Sequence, residues 1–267
     1  MNAEKICSLM EEAAAEAGRF VIRESESFDI RKTETKGLND FVSYVDKESE
    51  KMLVKKLKSI IPGAGFLAEE GTVSLNGERY TFIIDPLDGT TNFLHGLHPY
   101  AISLGLKEYD EIIAGVVYEA SGNELFSAWR GGGSRLNGNK IHVSGIPDLA
   151  GSLVATGFPY DDFTRLDKYM SFLKRLLKST HGVRRLGSAA IDLAYVACGR
   201  FEVFYEYSLN PWDIAAGMLL VTEAGGTVTD FSGNPEGVTG EEIVATNGLV
   251  HPEMLSLIAD FKLNTKD

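Results

Sequence analysis

Ile6, Met10, Ala13, Ala14, Ala17, Phe20 and Val21 recur at spacings of three and four, which predicts an amphipathic helix from Ala3 to about Glu24. Residues 31–40 carry no such stripe and read as a polar loop that includes Lys36. A second helix is predicted to open at Asp46, with Met52, Leu53, Leu57 and Ile60 on its buried side, and to stop at Pro62-Gly63. Gly65-Phe66-Leu67-Ala68 is a short apolar segment that hands Glu69-Glu70-Gly71 to a turn. The run Tyr80–Ile84 then reads as a buried strand ending at Asp85-Pro86, because proline cannot donate to a sheet ladder.

Alternating segments at 101–107, 112–118 and 124–129, followed by Asn137-Gly138, predict an antiparallel meander closed by a tight hairpin. Gly131-Gly132-Gly133 lacks the Lys-Ser/Thr of a phosphate-binding P-loop and reads as a turn or bulge. From Leu149 the pattern becomes strand and helix in turn. Strands are predicted at 152–156, around Val183, and at 203–207, 227–230 and 243–246. Helices are predicted at 162–177 and 187–198, from Pro211 to Gly225-Gly226, and from Pro252. The result is an α+β half, residues 1–147, followed by an α/β half, residues 148–267, with the break near Pro147-Asp148. No repeat and no Pro/Gly/Ser-rich linker separates them, so the halves are expected to pack tightly.

The 267 residues carry a formal net charge of −12, which argues against a general nucleic-acid surface. Cys7 and Cys198 are too few for a disulfide framework and are expected as buried thiols in a reducing compartment. No signal-peptide pattern and no apolar run of membrane-spanning length is present, so a cytoplasmic chain with no membrane and no nucleic-acid partner is expected.

The chemistry concentrates in Asp85-Pro86-Leu87-Asp88-Gly89-Thr90-Thr91-Asn92-Phe93. Two carboxylates on a short stiff turn repel each other unless a cation or a proton sits between them. Oxygen ligands without histidine or cysteine favour Mg²⁺, Mn²⁺ or Ca²⁺ over zinc. Helix N–H groups near Gly89-Thr90-Thr91 would attract an anion, and Asn92 is placed to cap that helix. Metal and anion together suggest phosphate. Plainer readings stand beside these. Asp-Pro-x-Asp-Gly also makes an ordinary surface turn, Asp46 serves as a helix N-cap, Asp213 favours a helix start, and Glu206 fits a solvated acid on an edge strand.

Three separated blocks settle on one resemblance: Glu69-Glu70-Gly71, Asp85–Phe93, and Trp212-Asp213-Ile214-Ala215-Ala216-Gly217 continuing to Glu223-Ala224-Gly225-Gly226. In order and spacing the chain resembles the inositol monophosphatase family of Mg²⁺-dependent, lithium-sensitive phosphatases. The resemblance implies a layered αβαβα sandwich, the fold shared with fructose-1,6-bisphosphatase, and a homodimer. It implies two or three Mg²⁺ ions held by Glu69, Asp85, the Leu87 carbonyl, Asp88 and Asp213, with Asp46, Glu69 and Thr90 orienting and deprotonating the attacking water. Phosphate would lie against Gly89, Thr90 and Thr91, the alcohol hydroxyls against Glu206 and Gly187-Ser188-Ala189, and Lys36 near the metal entrance.

The implied reaction is hydrolysis of a small polyol phosphate, myo-inositol monophosphate first, by metal-activated water without a covalent intermediate. Fructose 1,6-bisphosphate, histidinol phosphate and 3′-phosphoadenosine 5′-phosphate are the alternatives within the fold. Gly157-Phe158-Pro159-Tyr160 departs from the more polar loop of animal members and leaves the alcohol open. Two other classes are a regulatory binding protein that keeps the fold, and a glycoside hydrolase, which needs one protonated acid and no metal.

Overall fold

The fold was obtained as a computed structural model that describes residues 2–28, 34–37, 40–73, 77–160, 162–235 and 239–263, with 34–42 described by backbone alone. Helix α1 (Ala3–Ser25) starts where the Asn2 side chain accepts from Glu4 N at 2.9 Å, and it buries the expected stripe, with Phe20 half-buried. Residues 34–37 and Asp40, expected as loop, lie in strands: β1 (Glu34–Gly37) pairs antiparallel with β2 (Asp40–Val42). Backbone pairing needs no apolar stripe, so the pattern did not reveal it. The Lys36 side chain lies outside the described residues.

Helix α2 (Tyr44–Ile60) begins two residues earlier than expected. Ser43 is its N-cap, and Asp46 is the third helical residue, completing a capping box rather than being the cap itself. Leu53 and Leu57 are buried as expected, while Met52 and Ile60 are half-buried.

Helices α1 and α2 cover one face of a seven-stranded sheet of β3 (Gly65–Ala68), β4 (Tyr80–Asp88), β5 (Ala101–Glu108), β6 (Glu111–Glu119), β7 (Glu124–Trp129), β8 (Gly133–Leu136) and β9 (Asn139–Lys140). The short helix α3 (Thr90–Leu94) follows β4 directly. β3 and β4 are parallel and the remainder is an antiparallel meander in chain order. Strand alternation sorts the faces: Ile102, Leu104 and Val116 join α1 and α2, whereas Ala101, Val117 and Phe126 face the other way. The expected stop of β4 at Asp85-Pro86 is not observed. The strand runs on to Asp88 through a bulge, its register to β5 shifting from Asp85↔Ser103 to Asp88↔Ala101. A bulge is where a strand tolerates proline, and it turns both carboxylates out of simple alternation.

A second sheet, in the order β11-β10-β12-β14-β13, is built from β10 (Leu153–Thr156), β11 (Gly182–Arg184), β12 (Val203–Tyr207), β13 (Thr227–Thr229) and β14 (Glu242–Thr246). Its outer face is covered by α4 (Leu166–Ser179) and α7 (His251–Asp260) through Tyr169, Phe172, Leu176, Met254 and Ile258. Helix α4 starts later than the predicted 162, because Asp162 folds back to accept from Thr164 N at 3.0 Å and holds a turn.

Between the sheets lie α5 (Ala189–Ala197) and α6 (Pro211–Glu223), buried nearly all round because a sheet flanks each side. Close approach depends on Gly115, where a Cβ would stand 2.8 Å from Ala216 O. The layers are therefore α1/α2, seven strands, α5/α6, five strands and α4/α7: an αβαβα sandwich. Cys7 is buried, but Cys198 is only half-buried because it caps the end of α5. Among the described residues, no helix is long and apolar enough to cross a membrane.

Candidate active site

Helix α2 presents Asp46, Ser49 and Glu50 along one buried face, as spacings of three and four require. Each holds a different chain segment. Asp46 Oδ2 accepts from Ser43 N at 2.8 Å and Ser43 Oγ at 2.6 Å, leaving Oδ1 at 3.0 Å from Thr90 Oγ1. Ser49 Oγ donates to Pro86 O at 2.9 Å, pinning the bulge of β4. Glu50 accepts from Glu70 N at 2.8 Å and from Thr72 N at 2.7 Å, holding the turn that carries Glu69. Neither Ser49 nor Glu50 was expected. The available signal was their helical spacing from Asp46.

Parallel pairing of β3 and β4 ends with Glu69 N donating to Ile84 O at 3.1 Å, which delivers Glu69 beside Asp85. Asp85 is buried, and burial first, then the charges of Glu69, Asp88 and Asp213, holds its carboxyl well above the usual range. Asp88 reaches the start of α5, where Oδ2 accepts from Ser188 Oγ and from Ala190 N, both at 2.7 Å. Burial still pushes it up to about 6, against the pull of those two hydrogen bonds and of Arg185.

Asp213 stands at the third position of α6 and accepts from Asn210 N at 2.7 Å. Burial and the Asp88 charge raise it to about 7. Glu69, Asp85, Asp88 and Asp213 are thus electrostatic neighbours drawn from three separate segments, the turn after β3, strand β4 and helix α6. They do not form a closed cage: among the described residues, no three His, Cys, Asp or Glu side chains converge at metal-coordinating distance.

Gly89 caps α3 with a φ of +94°, and a Cβ there would stand 3.1 Å from Pro99 O and 3.3 Å from Gly187 O. Asn92 is not the cap expected of it. It lies inside α3 and donates through Nδ2 to Pro99 O and to Leu186 O, both at 2.8 Å, which locks the segment before Gly187 against this turn. The Thr90 hydroxyl also stands 2.9 Å from Leu87 O, while the Thr91 side chain is exposed.

Glu206 is not a solvated edge acid. Strand β12 runs between β10 and β14, and the Glu206 carboxyl is buried and held well above its usual range by burial, then by Asp213. It lines a cleft together with Asp88, Gly187, Ser188, Ala189 and Asp213, six of the residues singled out from the sequence. Gly157, Tyr160, Arg185 and Asp192 line it as well. Asp192 was not foreseen, although it follows Ser188 by one helical turn; its Oδ1 is buried without a hydrogen-bond partner. Asp46, Glu69, Asp85, Leu87 and Thr90 make a second group, joined to the cleft by Asp88 and Asp213, whose charges both act on Asp85.

The arrangement offers an oxygen-only donor set under strong like-charge repulsion, a hydroxyl–carboxylate pair, and two helix N-termini. Comparison with known proteins agrees with it in kind. Residues 2–262 match the model of the inositol monophosphatase family. A Neisseria meningitidis serogroup B protein named "Putative Nus factor SuhB" is 46% identical over 248 residues, 92% of this chain and 95% of that one. A Mesorhizobium japonicum protein named "Inositol-1-monophosphatase" is 38% identical over 259 residues, 97% of each. The solved Thermotoga maritima IMPase superposes with a TM-score of 0.87 at 35% identity, covering 95% of this chain and 96% of that one. The chain belongs to the inositol monophosphatase family.

Proposed function

We propose that the chain is a Mg²⁺-dependent phosphomonoesterase acting on a small polyol phosphate, with myo-inositol monophosphate as the first substrate. The observation that carries this reading is the repulsion among buried Asp85, Asp88 and Asp213 with Glu69 beside them, a set of hard oxygen donors whose charge calls for divalent cations. These four carboxylates and the second lone pair of the Leu87 carbonyl would hold two or three Mg²⁺ ions. When bound, Mg²⁺ supplies the charge neutralisation and water activation that phosphate monoester hydrolysis demands.

The chain's own groups do the rest. Asp46, one oxygen fixed by Ser43, points the other at Thr90, so a proton leaving the attacking water passes through the Thr90 hydroxyl to Asp46. The backbone N–H groups of Gly89, Thr90 and Thr91 cradle the phosphate oxygens. Ser188 and Ala190 hold Asp88 in place, and Glu206 receives hydroxyl hydrogens of the alcohol across the cleft beside Gly187-Ser188-Ala189.

The name of the Mesorhizobium japonicum relative supports inositol 1-phosphate within this class. The relatives named Nus factor SuhB favour a second, regulatory role for the same fold. Phosphate release from inositol 1-phosphate, fructose 1,6-bisphosphate, histidinol phosphate and 3′-phosphoadenosine 5′-phosphate, each with Mg²⁺ and with chelator, tests the proposal. Mg²⁺-dependent release with the highest kcat/KM on inositol 1-phosphate is expected; no release from any of the four leaves the regulatory reading alone.

A further inference from the structure

Gly157 follows β10 at the rim of the cleft, and its φ is not in the left-handed region, so backbone conformation does not require a glycine there. Space does. A Cβ built at Gly157 would overlap Oε1, Oε2 and Cδ of Glu206, far inside the approach that non-bonded atoms tolerate. The Glu206 carboxylate occupies the volume that any other residue at 157 would fill.

One of the two must give, and the backbone at 157 is the better anchored. Its carbonyl accepts from the Tyr169 hydroxyl at 3.1 Å, and that hydroxyl is itself 2.6 Å from Thr156 Oγ1 in the buried layer under α4. Thr156 Oγ1 reaches Tyr205 O at 2.9 Å, which fastens the end of β10 to β12. Further along the loop, Arg185 donates to Tyr160 Oη at 3.1 Å. The carboxylate, by contrast, is the free end of a flexible side chain.

We propose that Gly157 is a positioning residue for substrate selection: its missing side chain seats the Glu206 carboxylate where it meets the hydroxyls of the alcohol. This rests on the phosphomonoesterase reading above. A larger residue at 157 turns the carboxylate away without touching the groups around Asp85, so the penalty falls on esters rich in hydroxyls and spares an ester that has none.

The test is steady-state kinetics of Gly157→Ala at saturating Mg²⁺ on two esters, inositol 1-phosphate and 4-nitrophenyl phosphate. The expected result is a rise of about tenfold in KM for inositol 1-phosphate, equivalent to one lost hydrogen bond to a charged group, with kcat within twofold. For 4-nitrophenyl phosphate, kcat/KM stays within twofold. Gly157→Ala added to Glu206→Ala has no further effect, and Glu206→Asp, shorter by one methylene, recovers part of the loss in the Gly157→Ala background. Equal losses on both esters, an unchanged KM for inositol 1-phosphate, or additive effects with Glu206→Ala each overturn the proposal. Wild-type chain that hydrolyses neither ester overturns the phosphomonoesterase reading and this inference with it; wild-type activity on both esters with Gly157→Ala indistinguishable overturns this inference alone.

Discussion

The Thr90 hydroxyl stands 3.0 Å from Asp46 Oδ1 and 2.9 Å from Leu87 O, and it has one hydrogen to give. Protonation of Asp46 therefore decides the direction of the bond. When Asp46 is ionised, Thr90 donates to it; when Asp46 holds a proton, it donates to Thr90 and Thr90 turns to Leu87. Burial keeps Asp46 above its ordinary range, against the pull of the three hydrogen bonds from Ser43 and Thr90. A carboxylate that served only to cap α2 would not need to face a hydroxyl at all.

Asp46→Asn keeps the shape and one acceptor toward Ser43 but cannot take a proton from Thr90. kcat on the preferred ester should fall by about 10²–10⁴-fold, the range of a lost general base, with the Mg²⁺ concentration for half-maximal activity within threefold of wild type. A fall of tenfold or less would return Asp46 to a purely structural part in the capping box.

Asp88→Asn or Asp213→Asn removes one charge from the repelling set while preserving volume. Turnover should be nearly abolished at ordinary Mg²⁺, yet the melting temperature in chelator should hold or rise, because a buried charge facing like charges has been deleted. Circular-dichroism melts beside phosphate-release assays decide it. Wild-type-like kcat in either variant would remove these residues from metal binding.

Glu50 is buried on α2 and holds the Glu69–Thr72 turn by its two carboxylate oxygens. Glu50→Ala leaves the N–H groups of Glu70 and Thr72 without this acceptor and should cost about 2–3 kcal/mol. Because Glu69 rides on that turn, the Mg²⁺ requirement should rise in the order wild type, Glu50→Gln, Glu50→Ala. Urea unfolding with Mg²⁺ titration of activity separates the two effects: a loss of stability with an unchanged Mg²⁺ requirement would confine Glu50 to the fold.

What the chain made legible was local. Asp85, Asp88 and Gly89 sit within one turn, Glu69 ends an apolar segment, and Asp213 follows a helix-opening Pro-Trp, so each announced itself by its neighbours in sequence. Their proximity across three separate segments came from the resemblance. Glu50, Ser49 and Asp192 stayed hidden because a polar residue on a helix looks solvent-facing until its tertiary neighbours are known; α5 and α6 are covered on both sides by sheets that sequence order does not reveal. The plainer reading of Glu206 as a solvated edge acid failed for the same reason. The order β11-β10-β12-β14-β13 puts its strand in the middle of the sheet, and no local pattern encodes that crossing. The bulge at Pro86 shows the converse, a residue that ends most strands held inside one by Ser49.

Folded Asp85, Asp88 and Asp213 all hold their protons more tightly than an ordinary aspartate of 3.8, the latter two to about 6 and about 7. The unfolded chain gives those protons up near the ordinary value, so between pH 4 and about 7 the folded state binds more of them and stability falls as pH rises. The contribution is full below the unfolded range and gone above the folded one. In chelator, the melting temperature should decline from about pH 5 to about pH 8, and Asp213→Asn, which cannot ionise, should flatten the decline. If, as proposed, Mg²⁺ binds the ionised carboxylates, its stabilisation, about 2.7 kcal/mol at a hundredfold excess over Kd, should be large at pH 8 and small at pH 5, where protons compete. Thermal melts with and without Mg²⁺ at both pH values measure this directly. A Mg²⁺ shift of equal size at pH 5 and pH 8 would place the ion on groups other than these carboxylates.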